Sequence, residues 1–152
     1  MKKILLILFI FIGAFAAQAQ DINWMSLEEA LAKQKRNPKP IFMDVYTDWC
    51  APCKIMDRGT YQDPTVVDFI SKNYYAVKFN AEGNEKVNVL GSSFSNPGFD
   101  PDRKGRNSAH QLTKFLKVPG YPTMYVIDAK GNVKEMIEGP KEAEALIRAL
   151  KN

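Results

Sequence analysis

The only two cysteines of this chain form a Cys-x-x-Cys pair at the end of an apolar run, and that placement constrains the fold more than any other feature. From Ile41 to Lys54 the sequence reads Ile-Phe-Met-Asp-Val-Tyr-Thr-Asp-Trp-Cys-Ala-Pro-Cys-Lys. Ile41 to Thr47 is rich in apolar and β-branched residues, which suits a buried central strand. Lys54, Ile55, Met56, Asp57 and Arg58 continue as a helix that Gly59 can end. Cys50 therefore falls where strand gives way to helix. Unpaired backbone N–H groups and the helix dipole favour a thiolate there. Cys53 lies one turn further in and is expected to be more shielded. This asymmetry gives Cys50 the attack and Cys53 the resolution of a mixed disulfide. Pro52 fixes φ between them and removes one N–H, which limits the geometries of the pair.

Two other uses of such a pair are less favourable. A structural staple over so short a loop removes little entropy from the unfolded chain. Zinc requires four ligands, and beyond the two cysteines the chain offers only His110. Redox chemistry is favoured over both.

Met1 to Ala19 reads as a targeting leader. Lys2 and Lys3 begin it, an uncharged apolar run follows, and Ala17-Gln18-Ala19 supplies small residues for cleavage. The run is shorter than the roughly 20 apolar residues of a membrane span. The expectation is an exported protein, periplasmic or secreted, whose mature chain starts near Gln20; an uncleaved anchor is the alternative. Loss of Lys2 and Lys3 lowers the formal net charge from +4 to +2. That balance argues against nucleic acid or a membrane surface as partner. Residues 20–152 suffice for one domain with a core.

Ser26 and Glu29 form a capping-box signature for a helix from Leu27 to Lys35, which Asn37-Pro38-Lys39-Pro40 stops. Asp44 interrupts the buried strand, a costly position for a carboxylate unless it is paired or has a task. Asp63-Pro64 opens a helix with Val66, Val67 and Ile70 on one face. Tyr74 to Asn80 is the next strand, and Lys78 is its one charge. If the two strands are neighbours, Lys78 can pair with Asp44. Regular signals then fail from Ala81 to Asn107, a stretch rich in Gly, Ser and Pro that reads as a functional loop. Ser108 is expected to cap a helix through Leu116, with Leu112, Phe115 and Leu116 facing inward and His110 facing solvent. Met124 to Ile127 and Val133 to Ile137 form a hairpin around Asp128-Ala129-Lys130-Gly131-Asn132. A last helix from Lys141 to Leu150 places Ala143, Leu146, Ile147 and Leu150 on one face. The order predicts an α/β domain whose sheet mixes parallel and antiparallel pairs.

Taken together these residues resemble the thioredoxin family. Trp49 precedes the pair, Lys54 follows it, and Asp44 stands in the buried strand before it. Tyr121-Pro122-Thr123 resembles the family's cis-proline loop, and Gly139 resembles the glycine that ends the last strand. The run Asp-Trp-Cys-x-x-Cys-Lys, with Tyr61, Asp63-Pro64 and Val66, is similar to exported thioredoxin-like proteins. It is also similar to the C-terminal domain of the membrane transporter that carries electrons to periplasmic disulfides. The second helix lacks the proline that kinks it in thioredoxin, and the stretch before the cis-proline loop is longer, so it reads as an insertion at residues 81–107.

The resemblance implies a thioredoxin-like α/β fold, its central mixed β-sheet flanked by helices. It further implies thiol–disulfide exchange with protein disulfide or dithiol substrates, with no metal and no organic cofactor beyond the Cys50–Cys53 couple; a monomer is expected, and a membrane electron donor is one source of its electrons. Asp44 would accept the proton of Cys53, since burial raises a carboxyl's pKa; Lys78 would oppose that rise, so the two titrate as a coupled pair. Pro122 is expected to be cis, against the disulfide, and to bar metal ions from it. The Tyr121 backbone would pair with an extended substrate. Trp49, Ala51 and Pro52 would shape the surface around Cys50, while Trp24 serves packing. The absence of histidine between the cysteines points to a reductant. The alternatives are an oxidase or isomerase, or a non-enzymatic module that binds partners through the Phe94–Phe99 loop.

Overall fold

The computed structural model describes residues 21–89 and 91–151. The expected leader and its cleavage site lie outside the described residues. A four-stranded sheet organises the chain. Helix α1 (Leu27–Arg36) precedes β1 (Ile41–Tyr46), and α2 (Ala51–Arg58) and α3 (Pro64–Asn73) lead to β2 (Tyr75–Asn80). Short strands β3 (Val87–Val89) and β4 (Ser92–Phe94) come next, then α4 (Gln111–Phe115). Strands β5 (Thr123–Ile127) and β6 (Val133–Glu138) and helix α5 (Ala143–Leu150) complete the order. The sheet runs β2-β1-β5-β6, with β1 and β2 parallel and the other pairs antiparallel. This is the expected mixed sheet, with β1 at its centre.

Alternation along β1 divides the core. Ile41, Met43 and Val45 point to one face, where they meet Leu27, Val77, Phe79, Leu112 and Tyr125. Phe42 points to the other and meets Met56, Tyr61, Val66, Ile70 and Leu146. Asp44 shares parity with Phe42, so its carboxylate is directed to the face that α2 covers. The expected local signals are present: Ser26 and Glu29 close a capping box on α1, and the Asp63 carboxylate caps α3.

Several expectations are corrected. Residues 81–107 are not without regular structure, because β3 and β4 pair as a hairpin that turns through Gly91 at φ +72°. Strands of three residues are too short to show a period of two. His110 does not face solvent; it is fully buried and is itself the cap of α4 in place of Ser108. Its Nδ1 accepts the Leu112 N–H at 3.0 Å, and its Nε2 lies 2.7 Å from the Glu85 carbonyl, which fixes the proton on Nε2. With the cap moved, Phe115 turns outward, while Leu112 stays buried. Phe94 is buried beside Phe115, which removes it from the surface expected for partner binding.

The remaining loop is pinned by polar groups. Asn96 is buried, and its amide donates to the Gly83 carbonyl at 2.9 Å and the Ser108 carbonyl at 2.7 Å. The loop is thereby folded back against the C-terminal end of β2, toward Trp49.

Candidate functional site

Cys50 and Cys53 are joined in a disulfide, with Cα atoms 5.3 Å apart. Cys50 is the cap of α2, and its Sγ receives the Cys53 N–H at 3.2 Å. Its own N–H donates to the Thr47 carbonyl at 3.1 Å, which fixes the turn from β1 into the helix. Pro52 occupies the first turn, where its missing N–H costs no hydrogen bond. Exposure separates the two cysteines little, at 3% for Cys50 and 1% for Cys53 as whole residues. The asymmetry lies instead in the cap: the helix aims an N–H at Cys50 Sγ, while Cys53 and Met56 form its buried face.

Beneath α2, Asp44 and Lys78 stand in register on adjacent parallel strands, and Lys78 Nζ lies 2.6 Å from Asp44 Oδ2. The same ammonium also bonds to Asp57, a residue that the sequence analysis did not single out. Asp57 follows Cys53 by four positions on α2, so helical spacing was the available signal. Three aromatic rings surround the charge, with Nζ at 5.0 Å from the Trp24 centroid, 5.2 Å from Tyr46 and 4.9 Å from Tyr61. Trp24 is carried there because Met25 bridges to β2, accepting the Lys78 N–H at 3.3 Å. Its role thus exceeds plain packing. Trp24, Tyr46, Asp57, Tyr61, Gln62 and Lys78 line a cavity of about 350 Å³ that opens to solvent.

The electrostatics of this cluster point one way. Burial raises the Asp44 pKa, and Asp57 adds to the rise; Lys78 works against both without reversing them. Burial works to lower the Lys78 pKa, but the two carboxylates outweigh it and the net direction is upward. With two carboxylates beside it, the Lys78 ammonium holds its proton tightly. Among the described residues neither Asp44 Oδ1 nor the buried Tyr61 hydroxyl has a hydrogen-bond partner, so Oδ1 is where a proton would sit. Removal of the ammonium has a large expected cost. Lys78→Met should lower unfolding free energy by about 3 kcal/mol, because Asp44 is left buried and uncompensated. The deficit should shrink in acid, as Asp44 takes up a proton. Urea unfolding at two pH values checks this, and a loss below about 1 kcal/mol at neutral pH overturns it.

Above the disulfide, Trp49 is 38% exposed, and Ala51 and Pro52 are exposed beside it. The Trp49 indole N–H donates to Glu82 at 3.1 Å and its ring meets Tyr121 edge-on at 5.7 Å. The Arg106 guanidinium lies over the same ring at 4.2 Å. The Tyr121–Pro122 peptide is cis, and the Pro122 carbonyl accepts the Gly139 N–H at 2.9 Å. Gly139 has φ +72°, so this tie to the end of β6 uses the freedom of glycine. The Tyr121 backbone makes no backbone hydrogen bond among the described residues. No three His, Cys, Asp or Glu side chains converge on a metal-sized site among the described residues.

Comparison with known proteins places these features in a group. The sequence pattern of a thioredoxin-like domain matches residues 27–152. The thiol:disulfide interchange protein DsbD of Pectobacterium atrosepticum is 28% identical over 109 residues, which span 72% of this chain and 15% of that protein. The chain thus corresponds to under a fifth of the length of the curated relatives it matches. A candidate disulphide-isomerase from Bacteroides thetaiotaomicron superposes with a TM-score of 0.63 at 27% identity, covering 89% of this chain and 94% of that one. The oxidised C-terminal domain of Neisseria meningitidis DsbD superposes with a TM-score of 0.55 at 22% identity, covering 81% and 88%.

Proposed function

This chain belongs to the thioredoxin-like domain family and is a thiol–disulfide oxidoreductase, and from that premise we propose that it is exported and reduces protein disulfides through Cys50 and Cys53. One observation carries the direction of electron flow. Among the described residues, the Cys53 N–H is the one hydrogen bond that Cys50 Sγ receives, and Ala51 and Pro52 bring no further donor. Strongly oxidising dithiols owe their potential to a stabilised reduced form. Beyond the dipole of α2, a thiolate with a single donor has little of that stabilisation, so electrons leave this pair more readily than from a strongly oxidising dithiol.

In the proposed cycle the Cys50 thiolate attacks a substrate disulfide, one substrate sulfur departs as thiolate, and a mixed disulfide forms. Cys53 loses its proton to Asp44 and attacks Cys50 Sγ. The second substrate sulfur leaves and is protonated. The enzyme then holds its disulfide and the substrate has gained two electrons and two protons, one proton carried from Cys53 by Asp44 and one taken from solvent by the first departing thiolate. A dithiol donor, proposed to be membrane-borne, restores the reduced form. Tyr121 supplies the backbone against which an extended substrate lies, and Trp49, Ala51, Pro52 and the Pro122 loop form the rim. Among the described residues no helix is long and apolar enough to cross a membrane.

Equilibration with glutathione buffers tests the direction. The expected reduction potential lies near the ~−270 mV of a reducing dithiol, well below the ~−180 mV of an isomerase. A value at or above the latter favours the second reading, disulfide isomerisation, for which the likeness to the Bacteroides protein speaks.

A further inference from the structure

We propose that Arg106 selects substrates, favouring polypeptide disulfides flanked by Asp or Glu. The proposal rests on the reductase reading above and names the substrate class of that same site. Its basis is the way the 81–107 segment is fastened to Trp49. The Glu82 carboxylate accepts the Trp49 indole N–H at 3.1 Å and the Asn107 N–H at 2.8 Å through one oxygen, Oε2. Asn107 is locked in turn, since its Oδ1 accepts from the Asp100 N–H at 3.0 Å and the Ser108 N–H at 2.9 Å. Its Nδ2 donates to the Asp100 carbonyl at 2.7 Å. The residue before this lock is Arg106. Its guanidinium is consequently held over the Trp49 ring at 4.2 Å, and Trp49 immediately precedes Cys50.

The nearby acids are engaged elsewhere. Glu82 is taken as described, Asp48 accepts from the Asn80 amide at 3.2 Å, and Asp100 faces Arg103 at 3.9 Å. Among the described residues no carboxylate lies within ion-pair distance of Arg106. Stacking uses the face of a guanidinium and leaves its N–H edge open, and that edge matches a carboxylate bidentately. Tyr121 packs on Trp49 as well and has its backbone free for an extended chain. A strand lying along Tyr121 would bring an acidic side chain beside its half-cystine within reach of Arg106.

The test uses two disulfide peptides that differ by Glu or Gln next to the half-cystine, with kcat/KM for reduction by the reduced protein as readout. Each rate is divided by the rate with dithiothreitol, which removes the effect of the charge on the thiol itself. The Glu peptide should be favoured about fivefold at low salt, the upper range for a part-exposed ion pair, and less at high salt. Arg106→Gln should bring the ratio to about one, Arg106→Glu should invert it, and Arg106→Lys should retain part of it. A wild-type ratio near one, or a ratio unchanged in Arg106→Gln, overturns the proposal. A wild-type protein that reduces neither peptide instead removes the reductase reading, and this proposal with it.

Discussion

Cys53→Ser should arrest the enzyme after its first step and accumulate mixed disulfides with its substrates. Cys50 keeps its place as cap of α2 in that variant, so its sulfur still meets a substrate disulfide. Serine cannot then displace the substrate, and turnover should fall by at least about a thousandfold, as when one member of a catalytic unit is lost. Cys50→Ser should be equally inactive but trap nothing, because Cys53 is turned into the helix's buried face. The difference between the two variants is the informative result. Non-reducing electrophoresis of the two variants, followed by identification of the captured proteins, measures it. Trapping by Cys50→Ser in place of Cys53→Ser would reverse the assignment of attacker and resolver. That outcome is not idle, because the two residues differ in exposure by only 3% against 1%. The assignment rests on the helix terminus: the Cys53 N–H reaches Cys50 Sγ, and the dipole of α2 acts on the residue at its start.

What could be read in the sequence follows from how local each signal is. Asp44 and Lys78 stood out because a charge inside an apolar strand has few explanations, and two such charges invite pairing. Their parallel register then put Nζ against the carboxylate. Asp57 escaped notice because an acid on a surface helix looks like any solvated residue; only Lys78, from another strand, gives it meaning. Arg106 and Glu82 were hidden for a similar reason. Their convergence on Trp49 depends on a loop folded back by Asn96 and Asn107, and a loop leaves no period to count. The burial of His110 is hidden because its ring partners are the Leu112 N–H two residues on, where it serves as the cap itself, and the Glu85 carbonyl far upstream. Local grammar thus located the disulfide and the strand that carries it. The tuning groups came from tertiary contact.

Asp44→Asn should slow release of substrate from the mixed disulfide by about a hundredfold, the usual worth of a positioned general base, with far less effect on its formation. Attack by Cys50 uses a thiolate that the start of α2 already stabilises, whereas Cys53 must lose its proton while buried. In the wild type the release step should accelerate as pH rises through the elevated Asp44 pKa, and in Asp44→Asn that limb should disappear. Equal slowing of both steps removes Asp44 from the mechanism. Stability supplies an independent check with a defined sign. A carboxyl whose pKa is raised on folding favours the native state while protonated, below its ordinary value near ~3.9. That contribution is lost as pH climbs through the raised value. Lys78 is also shifted upward, and its contribution fades only at alkaline pH, outside this window. Asp44→Asn removes the first dependence and leaves Lys78 paired with Asp57. The variant should therefore unfold at no lower urea concentration than the wild type at neutral pH, with a flatter stability profile across the mildly acidic range. A variant markedly less stable at neutral pH would mean that the ion pair, and not the proton, is what Asp44 contributes.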